Sequence, residues 1–142
     1  MLLPITLTFA AATALLSIWL GIRTARLRAA HKILHGDGGN VALMRRMRAH
    51  SNYIEYTPFV VILMGLIEMA RGTSTWLWLV ALAYIIGRVL HAFGMDKDFA
   101  SKLRGIGILI SWLTLIGLAA VALYSAYVPP QHALPPIMGA HV

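Results

Sequence analysis

The feature that most constrains the fold of this chain is a set of apolar stretches, each close to the length of a membrane span. About 20 apolar residues suffice for a helix to cross a bilayer. Only 12% of the 142 residues are charged, whereas a soluble domain carries about 25%. We therefore predict an all-α fold, an integral membrane four-helix bundle formed by residues 1–128, followed by a Pro-rich external tail at residues 129–142. The predicted spans are residues 3–22, 51–70, 73–93 and 106–127.

The basic residues predict how these spans are oriented. One group lies between spans one and two: Arg23, Arg26, Arg28, Lys32, Arg45, Arg46 and Arg48. A second group lies between spans three and four: Lys97, Lys102 and Arg104. The positive-inside rule then places both loops in the cytoplasm and both termini outside. No basic residue precedes the first stretch, so we expect an uncleaved span and not a secretory signal.

The composition also excludes several classes of function. The net charge of +7 is spread over two short loops beside membrane spans, which does not suit nucleic-acid binding. The chain has no cysteine, so it offers no thiolate nucleophile and no Cys-ligated metal. His31 and His35 have no third ligand at a recognisable spacing, and we predict no metal site. Any thiol chemistry must use a thiol that the substrate brings.

The second span carries polar residues at its entrance. A span of about 20 residues that ends near position 70 must begin near position 51, which leaves Asn52 and Glu55 within or at the edge of the hydrocarbon zone. Polar groups there mark a functional site by default, although a polar seam between packed helices is the alternative. Because an α-helix has a period of 3.6 residues, one helical face carries Arg48, Asn52, Glu55, Tyr56 and Phe59.

This face suits a small zwitterionic peptide. The planar fork of Arg48 matches a carboxylate. Glu55 lies roughly 10 Å deeper by the rise of an α-helix, and its carboxylate favours an ammonium partner. Asn52, between them, offers both donors and acceptors.

Three further polar residues lie near the same predicted mouth. Arg104 either anchors span four or favours the thiolate of a bound thiol, because a nearby cation stabilises that form. Arg88 is either an anchor that extends to the interface or a partner for Glu55. His91, one turn after Arg88, is typical of an interfacial residue.

The stretch RAHSNYIEYTP, residues 48–58, closely resembles a motif of the MAPEG family, the small membrane proteins of eicosanoid and glutathione metabolism. It matches the family pattern Arg-Ala-x-x-Asn-x-x-Glu-Tyr-x-Pro at every fixed position. The GDGGN loop at residues 36–40 is similar to that of bacterial members. The resemblance extends over residues 1–128 and implies a bacterial inner-membrane protein.

The resemblance implies a homotrimer with glutathione bound between neighbouring subunits near the cytoplasmic face. Arg104 would stabilise the glutathione thiolate, and an arginine at the end of the first helix, Arg26 or alternatively Arg28, would also contribute. His91 and Met95 stand where several eukaryotic members have two tyrosines, and we count His91 among the cofactor contacts. The remaining cofactor contacts implied by the motif are Arg48, Asn52, Glu55 and Tyr56.

We therefore predict a glutathione transferase or peroxidase that acts on lipophilic small molecules reaching it from membrane lipid. A non-enzymatic lipid-binding scaffold of the same family is the first alternative. A small proton-coupled exporter is the second, but such exporters use a carboxylate in helix one, and residues 3–22 contain none.

Overall fold

The computed structural model of the protein describes residues 2–128, which form four α-helices and no strand. Each helix is long and apolar enough to cross a membrane. The predicted all-α membrane bundle is thus confirmed, whereas the proposed tail at residues 129–142 lies outside the described residues. The helices are α1 (Pro4–His31), α2 (Val41–Arg71), α3 (Thr75–Met95) and α4 (Lys102–Tyr127).

The first connection is shorter than the sequence indicated. The predicted spans at residues 3–22 and 51–70 left a long connection between them, but α1 continues to His31 and α2 begins at Val41. The basic segment after the first span is rich in Arg, Ala and Leu, which are good helix formers. Lys32 ends α1 in the left-handed conformation, with φ 55°, and the Asn40 side chain caps α2 by accepting from the Leu43 amide at 2.9 Å.

Helix α2 lies against all three other helices and holds the bundle together. Buried hydrogen bonds supplement the apolar packing, because lipid provides no hydrophobic driving force for helices to associate. The Tyr53 hydroxyl donates to the Thr13 carbonyl at 2.5 Å, and the hydroxyls of Thr57 and Tyr84 are 2.9 Å apart. The main core cluster comprises Ile5, Phe9, Val60, Met64, Ile67, Leu77, Ala81, Tyr84 and Leu118.

Helices α3 and α4 approach each other closely because glycines line their contact. A Cβ atom on Gly107 would lie 2.5 Å from the Gly87 carbonyl oxygen and 2.6 Å from the His91 Cβ. A Cβ on Gly94 would collide with the backbone of Arg104. Small residues at helix contacts let backbones approach in this way, and here they place the start of α4 directly against the end of α3.

The two short connections 32–40 and 96–101 lie at the same end of the bundle, which we call the basic end. There Arg23 and Arg46 both pair with Asp96, and Arg45 pairs with Asp98. The Arg45 guanidinium holds the pKa of the Asp98 carboxyl below its usual range. These pairs tie α1 and α2 to the connection between α3 and α4.

Candidate functional site

A polar cavity of about 610 Å³ opens between α2, α3 and α4 near the basic end. Its volume is in the range of small-molecule sites, about 300–1,000 Å³. Another cavity, of about 430 Å³, lies between α1 and α2, but it is lined mainly by apolar and small residues and has no charged side chain. The polar cavity is lined by Met44, Arg45, Arg48, Asn52, Tyr56, His91, Met95, Arg104, Ile108 and Trp112.

Helix α2 supplies one wall of the polar cavity. Arg48, Asn52 and Tyr56 follow one another at four-residue spacing, so their side chains lie on the same face, one above the other. Arg48 is exposed at the opening, whereas Asn52 and Tyr56 are half-buried. The structure therefore brings together three of the residues that the motif singled out, and their role in binding stays a prediction.

Arg104 lies in the first turn of α4 and lines the same cavity. The positive end of the helix dipole adds to its charge. Arg48 contributes a further cation, Arg45 is paired with Asp98, and the lining contains no acidic residue. This electrostatic environment favours an anion such as a carboxylate or a thiolate.

His91 also lines the cavity, but it is only 5% exposed and packs beside Gly107. Its Nδ1 atom is buried and makes no hydrogen bond with the part of the chain that the structure describes. The expectation of an ordinary interfacial residue was therefore wrong, because the close approach of α4 encloses the imidazole. Its contact with a cofactor stays a prediction.

Glu55 does not line the cavity within one chain. Its side chain is exposed on the surface of α2, and its neighbour in the chain, Tyr56, lines the cavity. Among residues 2–128 it forms no ion pair within 4.0 Å. An unpaired carboxylate in this position is costly where a helix faces lipid.

The two arginines at the end of α1 also lie away from the cavity of their own chain. Arg26 is exposed, and its side chain makes no hydrogen bond to the described residues. Arg28 is half-buried and donates to the Met47 sulfur at 3.4 Å and to the Leu34 carbonyl at 3.5 Å. Of the two alternatives, Arg26 is thus the one whose side chain has no hydrogen bond among the described residues.

Arg88 lies buried between the helices and makes no direct ion pair with Glu55. The side chain is 2% exposed, so it is not an anchor that reaches the interface, and it does not pair with Glu55. Its guanidinium instead donates to Asn52 Oδ1 at 2.9 Å and to Ser111 Oγ at 3.1 Å. Ser111 was not among the predicted site residues, although a hydroxyl within an apolar span is a recognisable signal of a polar contact between helices.

Comparisons with known proteins agree with this architecture. A model described as the MAPEG family matches residues 6–124, which begin in α1 and end in α4. Two curated relatives, from Escherichia coli strains K12 and CFT073, are both called Inner membrane protein YecN. Each is 30% identical over 109 residues, which cover 76% of this chain and 82% of the relative. With four membrane-spanning helices, the residues 48–58 motif on α2 and this match over most of its length, the chain belongs to the MAPEG family.

Proposed function

We propose that this protein is a membrane glutathione transferase that conjugates glutathione to lipophilic electrophiles or reduces lipid hydroperoxides. The observation that carries the proposal is the polar cavity, in which α2, α3 and α4 bring together Arg48, Asn52, Tyr56, His91 and Arg104. The chain has no cysteine of its own, so the thiol of a bound cofactor is the nucleophile.

Glutathione fits the distribution of charge around this cavity. Arg48 at the opening binds a carboxylate through its fork of donors. Asn52 and Tyr56 hydrogen-bond the peptide backbone deeper in the cavity. Glu55, exposed on α2 next to the cavity-lining Tyr56, is the acid available for the ammonium group of the peptide.

Arg104 supports the chemical step. A guanidinium close to the bound thiol stabilises the thiolate, which is the reactive form. The thiol proton leaves to water, and the sulfur forms a bond to the electrophilic carbon of an acceptor held beside it. The carbon either releases its leaving group as an anion or, in an activated double bond, passes the π electron pair to a neighbouring atom that takes up a proton from water. With a hydroperoxide, the sulfur attacks the distal oxygen and releases an alcohol, and a second glutathione then forms the disulfide and water.

A homotrimer would complete this site. Glu55 and Arg26 are both exposed, and neither lines the cavity of its own chain. A neighbouring subunit that covers the exposed face of α2 removes the Glu55 carboxylate from lipid, which lowers the desolvation cost. It also brings its own α1 close enough for Arg26 to contribute to the cofactor site.

The proposed location is a bacterial inner membrane, with the basic end in the cytoplasm and both termini outside. The support is the distribution of Lys and Arg between the loops and the name of the curated relatives, Inner membrane protein YecN. Reporter fusions after Arg71 and after Val142 should both report an external position. A cytoplasmic signal at either site contradicts this orientation.

The cavity between α1 and α2 favours a second candidate function. Its apolar and small lining residues, such as Ala10, Ala14 and Val61, suit a lipid acyl chain. In this alternative the protein binds and presents a lipid without performing chemistry. Glutathione binding distinguishes the two functions.

The test is calorimetric titration of glutathione into the purified protein. The wild type should bind, and Arg48→Ala should weaken binding on the order of ten- to a hundredfold, because it removes a charge-assisted hydrogen bond. Arg46→Ala is the matched control, since Arg46 lies on the same helix but pairs with Asp96. A wild-type protein that does not bind glutathione would favour the lipid-presenting scaffold.

A further inference from the structure

We infer that Arg88 is a positioning residue that fixes the side-chain amide of Asn52 so that its NH₂ group donates into the polar cavity. Position 52 then recognises an acceptor oxygen of the ligand, either a peptide carbonyl or a carboxylate. The identity of the ligand as glutathione rests on the proposed function, whereas the orientation of the amide rests on contacts within the chain.

The contacts form a clamp across three helices. Arg88 on α3 is almost fully buried, and its two terminal nitrogens donate in different directions. Nη2 donates to Asn52 Oδ1 on α2 at 2.9 Å, and Nη1 donates to Ser111 Oγ on α4 at 3.1 Å. The guanidinium also lies 5.6 Å from the centre of the Tyr53 ring.

The direction of each hydrogen bond follows from the chemistry of the donors. The guanidinium of Arg88 can only donate, so Asn52 must turn its oxygen toward Arg88. On the other side, the Ser111 hydroxyl donates to the Gly107 carbonyl at 2.9 Å, which leaves its lone pairs to accept from Arg88. The two hydrogen bonds that Arg88 donates thus fix one orientation of Asn52 and one of Ser111, whereas the Arg88 Nε has no partner among the described residues.

The Asn52 nitrogen is therefore directed away from Arg88. Asn52 is half-buried and lines the polar cavity, and no acceptor for its Nδ2 atom occurs among the described residues. A ligand that offers an oxygen acceptor satisfies these two donors, whereas an ammonium group is repelled by the donors and by the buried cation behind them.

A purely structural role explains this arrangement less well. Arg88 has no acidic partner within 4.0 Å in the described part of the chain. Burying a charge without a close ionic partner costs free energy, so packing alone does not favour an arginine at this position. Buried ionisable groups beside a cavity are instead characteristic of functional sites.

The orientation can be tested without any ligand, because the chain has two asparagines, Asn40 and Asn52. Protein labelled with ¹⁵N-asparagine should show two pairs of side-chain amide proton signals by NMR. Arg88→Met should shift the Asn52 pair and leave the Asn40 pair unchanged, since Asn40 caps α2 outside this network. An unshifted Asn52 pair in Arg88→Met would overturn the positioning role.

A double-mutant cycle then tests whether Arg88 acts on glutathione binding through Asn52. Arg88→Met should weaken binding about three- to tenfold, and Asn52→Ala about tenfold. The double variant should bind no more weakly than Asn52→Ala, because Arg88 has no amide left to orient. Effects that multiply in the double variant contradict the proposal.

Two further variants separate orientation from folding. Arg88→Lys keeps one charged donor and should recover part of the affinity. Asn52→Asp keeps the acceptor for Arg88 but replaces the NH₂ donors with a carboxylate oxygen. This oxygen repels the acceptor oxygen of the ligand, so Asn52→Asp should bind glutathione more weakly than Asn52→Ala. If Arg88→Met shifts the Asn52 signals but glutathione does not shift them in the wild type, the proposed function fails while the positioning of the amide stands.

Discussion

Glu55 and Glu68 lie on the same helix, yet they occupy opposite environments. Glu68 is 1% exposed and accepts hydrogen bonds from the Thr6 amide at 2.8 Å, the Thr6 hydroxyl at 2.6 Å and the Ile5 amide at 3.1 Å. Glu55 is exposed and makes no such contact with the described residues. One carboxylate therefore completes the fold, and the other is available to a ligand or a second subunit.

Glu68→Gln should destabilise the bundle. No residue before α1 caps its N-terminus with a side chain. The Glu68 carboxylate acts as the cap instead, because it accepts from the first amides of α1. A glutamine retains one acceptor oxygen and presents donors to the other amide, so we expect a loss of about 1–3 kcal/mol. Thermal unfolding in detergent measures this, and an unchanged transition would show that the α1 cap is not needed. Glutathione affinity should not change.

Glu55→Gln should have the opposite pattern. We expect glutathione affinity to fall on the order of ten- to a hundredfold, because the ammonium of the peptide loses a charged partner. The thermal transition should be close to that of the wild type, because Glu55 makes no contact that the fold of the single chain needs. Unchanged affinity together with a lower transition would assign Glu55 to helix packing.

Gly107→Ala should disturb the cavity by separating α3 from α4. The added methyl group would meet the Gly87 carbonyl and the His91 side chain at 2.5–2.6 Å, and overpacking of this kind costs about 1–3 kcal/mol. Gly105→Ala is the matched control, since an added Cβ there has no neighbour within 4 Å. We expect lower stability and weaker glutathione binding in Gly107→Ala alone. Equal behaviour of the two variants would refute the close-packing account.

The sequence predicted the helices better than the contacts between them. The length of the apolar stretches determines the spans, and the helical period places Arg48, Asn52 and Tyr56 on one face. The spans and this shared face could therefore be predicted from local sequence pattern. The hydrogen bond between Arg88 and Ser111 could not be predicted from local pattern. The two residues are 23 positions apart on different helices, and the glycine contacts of α3 and α4 bring them together. Glu68 was missed for the same reason, since its partners lie 62 and 63 residues earlier in the chain.

The central claim, that Arg104 stabilises a bound thiolate, is tested most directly by titrating the protein–glutathione complex with pH and following thiolate absorbance in the ultraviolet. The adjacent cation favours the charged form, so the thiol pKa of bound glutathione should be lower than that of glutathione in solution. Arg104→Ala should reverse most of this shift with little loss of affinity, because Arg48 and Glu55 still bind the peptide. Arg104→Lys keeps the charge without the fork and should retain part of the shift. A wild-type complex that shows no thiolate near neutral pH would contradict the transferase mechanism and favour the lipid-presenting scaffold.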